Sequence, residues 1–208
     1  MNVLVTQVHN IVSVEILKLL RGCGVSGLKI YGTSIKPELP DGIRRLTDVL
    51  LRVEHAASSA PDEYSREIAE LCRANNIDLV ISGYDAELLC LQRLRRETDS
   101  LFITPDADTI ELLYDKLTAA RAMSAISVPV PEIFTRHTAH GKVICRKRHS
   151  VSSRGIIIAD LDRGDTLPEV DENEWFLQRF IDGTEYTVNI LAERDGAPRL
   201  IIPRKRLK

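Results

Sequence analysis

Residues 175–188 read Trp-Phe-Leu-Gln-Arg-Phe-Ile-Asp-Gly-Thr-Glu-Tyr-Thr-Val, and they decide how the second half of the chain is interpreted. The apolar run from Trp175 to Ile181 predicts a β-strand, and the polar residues after it predict a break. A second strand is predicted over residues 186–193. Residues 199–203 form its hairpin partner around Asp195-Gly196, a pair suited to a tight turn. This part of the chain therefore indicates antiparallel β-structure.

Working upstream, the same pattern extends to about residue 143. Residues 143–148 and 155–159 are predicted strands, separated by the polar loop His-Ser-Val-Ser-Ser-Arg. Residues 128–131, Val-Pro-Val-Pro, predict an elbow with no regular structure. Before the elbow, Asp106 is predicted to cap a helix that bends near Asp115 and continues to Ala125.

The first hundred residues have a different pattern, in which short apolar strands alternate with amphipathic helices. Strands are predicted at residues 2–6, 28–32, 77–82 and 101–103. The intervening helices begin near Val12, at Pro61 and after a capping Asp85, whereas residues 43–53 have no clear assignment. Such alternation implies parallel strands with right-handed crossovers. We expect an α/β fold class, with a Rossmann-like doubly wound parallel sheet over residues 1–104.

Composition narrows the classes of function. The 208 residues carry a net charge of −2, are 44% apolar, and contain four cysteines without CxxC spacing. We expect a soluble, cytoplasmic protein with reduced thiols, no membrane span and no targeting segment. Residues 146–148 and 204–208 are basic and could contact nucleic acid, but the negative net charge and the aromatic fraction of 5% disfavour such a partner.

A dinucleotide site in the first turn is also disfavoured. Such a site needs glycines that let backbone amides approach a pyrophosphate at a helix N-terminus. The turn here is Gln7-Val8-His9-Asn10 and has no glycine. His9 and Asn10 are more economically explained as a loop residue and a helix cap.

The candidate chemistry lies between residues 115 and 185. Lys116 and Arg146 are cations that flank a small β-rich region, and a serine-rich loop closed by Gly155 follows Arg146. Small residues, hydroxyls, a lysine and an arginine together suit phosphate binding. Each signal alone has an ordinary explanation: a lysine on a helix is usually solvated, and the loop could be a plain hairpin connection. An arginine inside an apolar strand is less usual and needs a partner.

Taken in order, these features resemble the ATP-grasp superfamily, and within it the branch of the carbamoyl-phosphate synthetase large subunit and related carboxylate–amine ligases. That branch has an Asp-Lys before a helix, a Val-Pro-Val-Pro-like elbow and a strand with a terminal Lys or Arg. A loop ending in Gly-Ile and a Gln-x-Phe-Ile-x-Gly-x-Glu-Tyr segment follow; the matching residues here are Gly155-Ile156 and 178–186. The resemblance is strong from Asp115 onward and looser before it.

The resemblance implies three regions and a nucleotide site. The regions are a pre-ATP-grasp domain (1–104), a small α+β ATP-grasp lobe with linking helices (105–185) and the truncated start of the large C-terminal lobe (186–208).

By the resemblance, Lys116 and Arg146 contact the ATP phosphates, and loop 149–154 closes over them as a lid. The residues implied to bind ATP are Lys116, Arg146, Ser152, Ser153, Gly155, Gln178, Arg179, Phe180, Ile181 and Glu185. Within this set the segment from Gln178 to Ile181 reads the adenine edge and Glu185 accepts from the ribose, while Arg204 faces the acyl phosphate or acceptor as the catalytic residue.

Two departures from the family pattern change what we expect of the chain. Serines replace several lid glycines, which puts lid closure in doubt. The carboxylates that hold Mg²⁺ in relatives are expected beyond Lys208, so no metal ligand is assigned within the chain. The expected function is therefore the ATP-binding part of a carboxylate–amine ligase, incomplete and inactive as it stands, with a homodimer possible. The alternative is a degenerate or truncated ATP-grasp domain that serves as a non-catalytic nucleotide-binding or structural module.

Overall fold

The computed structural model describes residues 1–150, 155–193 and 195–207. The chain forms two compact units, Met1–Tyr114 and Asp115–Lys208. The first unit consists of β1 (Asn2–Val5), α1 (Ile11–Gly22), β2 (Lys29–Ser34), α2 (Asp41–Arg44), β3 (Val49–Arg52), α3 (Pro61–Ala74), β4 (Leu79–Ile81), α4 (Leu88–Leu94), β5 (Leu101–Phe102) and α5 (Ala107–Tyr114). The second consists of α6 (Lys116–Ala125), β6 (Ile133–Phe134), β7 (Lys142–Lys147), β8 (Ile156–Asp160), β9 (Trp175–Arg179), β10 (Tyr186–Ala192) and β11 (Pro198–Lys205).

The first unit is a five-stranded parallel sheet in the order β3-β2-β1-β4-β5. Its strands are short and apolar because both faces of the sheet are covered by helices. Two buried clusters lie on the two faces. One contains Leu4 and Tyr64, and the other contains Val3 and Leu17. The predicted α/β class with a Rossmann-like parallel sheet is confirmed.

Side chains close the turn after β1. Val8 is fully buried in it, and a β-carbon added to Gly32 on β2 would come within 2.9 Å of Val8 Cγ1. The Asn10 side chain accepts a hydrogen bond from the amide of Val12 at 3.0 Å and so caps α1. The turn is thus built to pack and to start a helix, in agreement with the absence of glycine.

Two local predictions about the first unit need correction or completion. Asp85 does not cap α4, because it lies inside a short 3₁₀ turn (Asp85–Glu87) that precedes this helix and makes no side-chain cap bond. The unassigned stretch 43–53 contains the end of α2 and strand β3. Its charged residues fit an edge strand that is only partly buried.

A buried acid links the 3₁₀ turn before α4 to helix α3. Glu87 has no exposed surface, and its Oε2 accepts a 2.6 Å hydrogen bond from the Tyr64 hydroxyl on α3. Burial raises the pKa of Glu87 and that of Tyr64, since neither charged form is well solvated there.

The second unit contains a four-stranded antiparallel sheet in the order β6-β9-β7-β8. One face carries the core of the unit, whose buried residues are Phe134, Val143, Cys145, Ala159 and Leu177. The predicted strands at 143–148, 155–159 and 175–181 correspond to β7, β8 and β9, the last ending at Arg179. Strand β6 has only two residues, too few to leave a periodic signal in the sequence.

Strands β10 and β11 form a separate two-stranded antiparallel sheet. Its register pairs Tyr186 with Lys205 and Ile190 with Ile201, as the predicted hairpin requires. All residues of both strands are exposed, including Ile190 at 63% and Ile201 at 55%. Across the described residues of both units, no helix has the length and apolar character needed to cross a membrane.

Candidate functional site

Asp115 starts helix α6 and is the first element of the site. Its Oδ1 accepts hydrogen bonds from the amides of Leu117 (2.9 Å) and Thr118 (3.4 Å), and its Oδ2 accepts from the Thr118 hydroxyl (2.9 Å). These bonds satisfy amide groups that the first turn of a helix leaves unpaired. The predicted break between α5 and α6 therefore has a local cause, the cap at Asp115.

Arg148, the residue after β7, forms an ion pair with the same carboxylate. The Arg148 Nε donates to Asp115 Oδ2 at 2.9 Å, and Nη2 donates to the same oxygen. The side chain of Asp115 is 11% exposed and that of Arg148 is 29% exposed. The Arg148 guanidinium holds the pKa of Asp115 well below its usual range, and this carboxylate raises the pKa of Arg148. The pair fixes the start of α6 against the end of β7.

Lys116, the next residue, is directed at the chain that follows β7. Its amide donates to the carbonyl oxygen of Arg148 at 3.0 Å. Its ammonium donates to the carbonyl oxygen of Ser150 at 2.5 Å and to that of Arg148 at 3.4 Å. The ammonium therefore lies at the beginning of the predicted lid loop, two to four residues beyond Arg146.

Arg146 is a half-buried cation in the middle of the sheet. Its Nε is buried and has no hydrogen-bond partner among the described residues, and its guanidinium carbon lies 5.9 Å from the centre of the Phe176 ring. Burial lowers the pKa of this guanidinium. A desolvated N–H group without an acceptor costs free energy, so the side chain is suited to receive an anionic oxygen.

The strand register shows which residues share a face with Arg146. Residues directly opposite each other in antiparallel strands point to the same side of the sheet. Arg146 is paired with Phe176 on β9 and with Ile156 on β8, and Ile144 is paired with Gln178. We call this the Arg146 face. It lies opposite the core of the unit and combines a cation, an aromatic ring, aliphatic side chains and an amide.

Gly155 immediately precedes β8, at a position where a side chain would be crowded and the backbone conformation strained. Its φ is +67°, and an added β-carbon would come within 3.1 Å of Lys147 Cγ and 3.3 Å of Trp175 Cη2. Its carbonyl oxygen accepts a 3.3 Å bond from the Lys147 amide. The glycine therefore allows the main chain at the start of β8 to lie close to Lys147 and Trp175.

We expect Gly155→Ala to lower the free energy of unfolding by about 2 kcal/mol, from left-handed backbone strain together with crowding. Chemical denaturation of the purified protein measures this loss. Gly164→Ala is the matched control, because Gly164 has φ +90° but no atom within 4 Å of its added β-carbon. It should lose only the backbone part, about 1 kcal/mol. Equal losses in the two variants would contradict a close approach at Gly155.

In the segment predicted to read the adenine edge, Gln178 to Ile181, the first two side chains lie on opposite faces of the sheet. Gln178 is 4% exposed within β9 on the Arg146 face, whereas Arg179 lies on the other face. There Arg179 donates to Glu132 Oε2 at 2.6 Å and stacks near Phe134. The amides of Arg179 and Phe180 donate to the carbonyls of Glu132 and Lys142. These two amides are therefore already paired, whereas the Ile181 amide, just after the strand, makes no main-chain hydrogen bond to a described residue.

Glu185 and Arg204 belong to the β10–β11 hairpin. Glu185 is the residue before β10, and its carboxylate accepts a 2.6 Å bond from Arg206. Arg204 donates to Asn189 Oδ1 at 3.0 Å. These described contacts of Glu185 and Arg204 lie within the hairpin. Ser152 and Ser153 fall outside the described residues.

A cavity of about 160 Å³ also opens in the second unit. None of the residues predicted to bind ATP lines it. Its walls come from α6, β6, the core face of the sheet and the segment before β9, among them Leu117, Arg121, Phe134, Cys145 and Trp175. The cavity is therefore lined by other residues than those predicted to bind ATP, although Phe176, the strand partner of Arg146, borders it.

Sequence reasoning assigned roles to Lys116 and Arg146 but gave none to Asp115 or Arg148. The available signal for Asp115 was its position immediately before a helix, which is typical of a capping residue. No local signal indicated that Arg148 would be its partner, because 33 residues separate the two.

Comparison with known proteins adds three findings. Residues 113–208 match the family described as "ATP-grasp domain". No curated protein is significantly similar to the chain in sequence. Among solved structures, the biotin carboxylase domain of the Hydrogenobacter thermophilus 2-oxoglutarate carboxylase, in complex with MgADP, ADP and bicarbonate, is 17% identical. It superposes over 97% of this chain and 48% of its own, with a TM-score of 0.70.

Two further structures show the same similarity of fold. The biotin carboxylase–βγ-ATP complex from Campylobacter jejuni is 15% identical over 97% of this chain and 49% of its own, with a TM-score of 0.68. The L-amino acid ligase from Bacillus licheniformis is 11% identical over 92% and 47%, with a TM-score of 0.63. The chain thus spans about half the length of these proteins. Residues 113–208 thus match the ATP-grasp domain family, and the chain shares its fold with about half of each of these larger proteins.

Proposed function

We propose that the second unit binds ATP as part of an ATP-dependent ligase, with the triphosphate next to Lys116 and Arg146. The observation that carries this proposal is the unpaired, buried Nε of Arg146, on the sheet face beside the segment that Lys116 contacts. Guanidinium and ammonium groups in a partly desolvated site form strong charge-assisted bonds to phosphate oxygens. The ATP-grasp family match and the nucleotide complexes of the similar folds support the same assignment.

The purine fits the apolar part of the Arg146 face. Phe176 and Gln178 are buried there, and the exposed Ile156 and Ile158 extend the surface. An aromatic base gains from burial against such a surface, while the polar main chain of Ile181 can read its edge. A carboxylate at Glu185 suits the two ribose hydroxyls, since it accepts through both oxygens.

We infer the reaction class from the family: ATP activates a carboxylate as an acyl phosphate, which an amine then captures. This proposal includes membership of the carbamoyl-phosphate synthetase-like branch, with a small-molecule carboxylate and an amine as the substrates. It also includes a catalytic role for Arg204 and a homodimer. Lys116 and Arg146 would hold the phosphoryl group in place and stabilise its negative charge. The described residues contain no group of three or more acidic, histidine or cysteine side chains that could hold a metal. Mg²⁺ is the expected companion of ATP, since the similar 2-oxoglutarate carboxylase domain was solved with MgADP.

The test separates the parts of the nucleotide by titration calorimetry with ATP, tripolyphosphate and adenosine. We expect Glu185→Ala to weaken ATP about 10-fold, because a charge-assisted bond to the ribose is lost, and to leave tripolyphosphate unchanged. The matched control is Glu193→Ala. Glu193 pairs with Arg199 in the same hairpin, as Glu185 pairs with Arg206, so it reproduces the loss of an ion pair.

Two results would count against the proposal. If the wild-type protein binds neither ATP nor tripolyphosphate, the nucleotide site is absent. If Glu185→Ala weakens ATP and tripolyphosphate by the same factor, or no more than Glu193→Ala does, the ribose contact has to be abandoned.

A further inference from the structure

We propose that the Asp115–Arg148 ion pair positions Lys116 for the phosphates, so that both residues act on nucleotide affinity without touching the nucleotide. This inference rests on the proposed function, because it assigns a role within the same site. It concerns how the site is held together.

The geometry shows why Lys116 depends on this pair. Arg148 binds Asp115 through its side chain and binds Lys116 through its carbonyl oxygen, which accepts from both the amide and the ammonium of the lysine. Arg148 is itself fixed, since its amide donates to the carbonyl of Glu174 at 2.8 Å. Helix α6, β7 and the end of the segment before β9 thus meet at one arginine. The ion pair thus adds a side-chain link between the start of α6 and the end of β7 to the bonds that Lys116 makes.

The direction of the effect distinguishes positioning from simple electrostatics. Asp115→Asn removes a negative charge next to a phosphate-binding site, and Coulomb's law alone predicts tighter binding of an anion. The asparagine side-chain oxygen can still cap the helix. If the carboxylate positions Lys116, the same substitution loosens the lysine and weakens the anion. The two explanations therefore predict opposite signs.

The experiment is a double-mutant cycle on the full chain, with tripolyphosphate, Mg-ATP and adenosine as probes. We expect Asp115→Asn to weaken tripolyphosphate and Mg-ATP about 10-fold and to leave adenosine unchanged. In a Lys116→Met background the same change should alter affinity less than twofold, because Asp115 acts through Lys116. Arg148→Lys keeps the positive charge but loses the two-pronged contact, and it should reproduce the loss.

The remaining outcomes separate this inference from the proposed function. If Lys116→Met weakens both phosphate probes while Asp115→Asn and Arg148→Lys bind as the wild type does, the site stands and the positioning role is wrong. The role is equally wrong if Asp115→Asn tightens tripolyphosphate, or has the same effect with and without Lys116. Failure of the wild-type protein to bind either phosphate probe removes the site and the inference together. Near-UV circular dichroism identifies a variant that fails to fold. If Asp115→Asn does not fold, the affinity of Arg148→Lys for the phosphate probes decides whether the ion pair positions Lys116.

Discussion

Arg146→Met is expected to stabilise the protein without nucleotide and to abolish its stabilisation by ATP. Arg146 carries a charge into a half-buried position where its Nε has no partner among the described residues. Replacing such a group with an apolar side chain of similar length removes the cost of desolvation. We expect a gain of about 1 kcal/mol in the free energy of unfolding.

In Arg146→Met, the loss of stabilisation by ATP should be larger than the gain in stability without nucleotide. A ligand that binds only the native state at 100 times its Kd stabilises the wild-type protein by about 2.7 kcal/mol. We expect this increment to vanish in Arg146→Met, and thermal unfolding with and without Mg-ATP measures it. Arg199→Met, which removes an exposed arginine of the hairpin, should retain the full increment. If Mg-ATP still stabilises Arg146→Met as much as the wild type, Arg146 is not part of the nucleotide site. If Arg146→Met is less stable than the wild type without nucleotide, interactions in the folded protein compensate the cost of burying Arg146.

Arg148→Ala should lower the free energy of unfolding more than Gly155→Ala does. It leaves the largely buried carboxylate of Asp115 without its cationic partner, and breaking one side of a buried pair is costly. Urea denaturation followed by circular dichroism measures the change. Arg163→Ala is the control, since the Arg163 side chain is 85% exposed in its pair with Asp160. It should cost less than about 0.5 kcal/mol, as exposed ion pairs usually do.

The pH dependence provides a second test of the same pair. Asp115 has a folded-state pKa below its ordinary value of 3.8, so its ionised form is favoured by folding. The stabilisation is complete above the unfolded-state pKa, and it is lost as pH falls below about 4 toward the folded-state pKa. Arg148→Ala should therefore show a weaker loss of stability between neutral pH and pH 3 than the wild type does. Parallel curves for the two proteins would contradict the assigned role of Asp115.

Much of the fold could be predicted from the sequence because its signals are local. Buried parallel strands appear as continuous apolar runs, and helices are marked by their caps, such as Asn10 and Asp106. The same local reasoning failed at Asp85, where a 3₁₀ turn precedes the helix, and at β6, where two residues carry no pattern.

The candidate site could be predicted only in part, because it depends on long-range contacts. Residue type and order predict that Lys116 and Arg146 contact phosphate, and this assignment stays a prediction. That Lys116 lies against the chain beyond β7 follows from contacts between residues 34 positions apart, which no spacing rule reveals. The Asp115–Arg148 pair is of the same kind. The assignment of Glu185 and Arg204 to the nucleotide site stays a prediction.

The exposed hairpin has a consequence for how nucleotide affinity would be divided. A two-stranded ribbon has little intrinsic stability in water, whereas the four-stranded sheet has a core of its own. Native-state opening should therefore be easier around Glu185 than around Arg146. Holding the sugar would require the ribbon to become more ordered, with a loss of conformational entropy. The phosphates would meet a preformed surface, so they would contribute most of the free energy of binding and the ribose would contribute a smaller share.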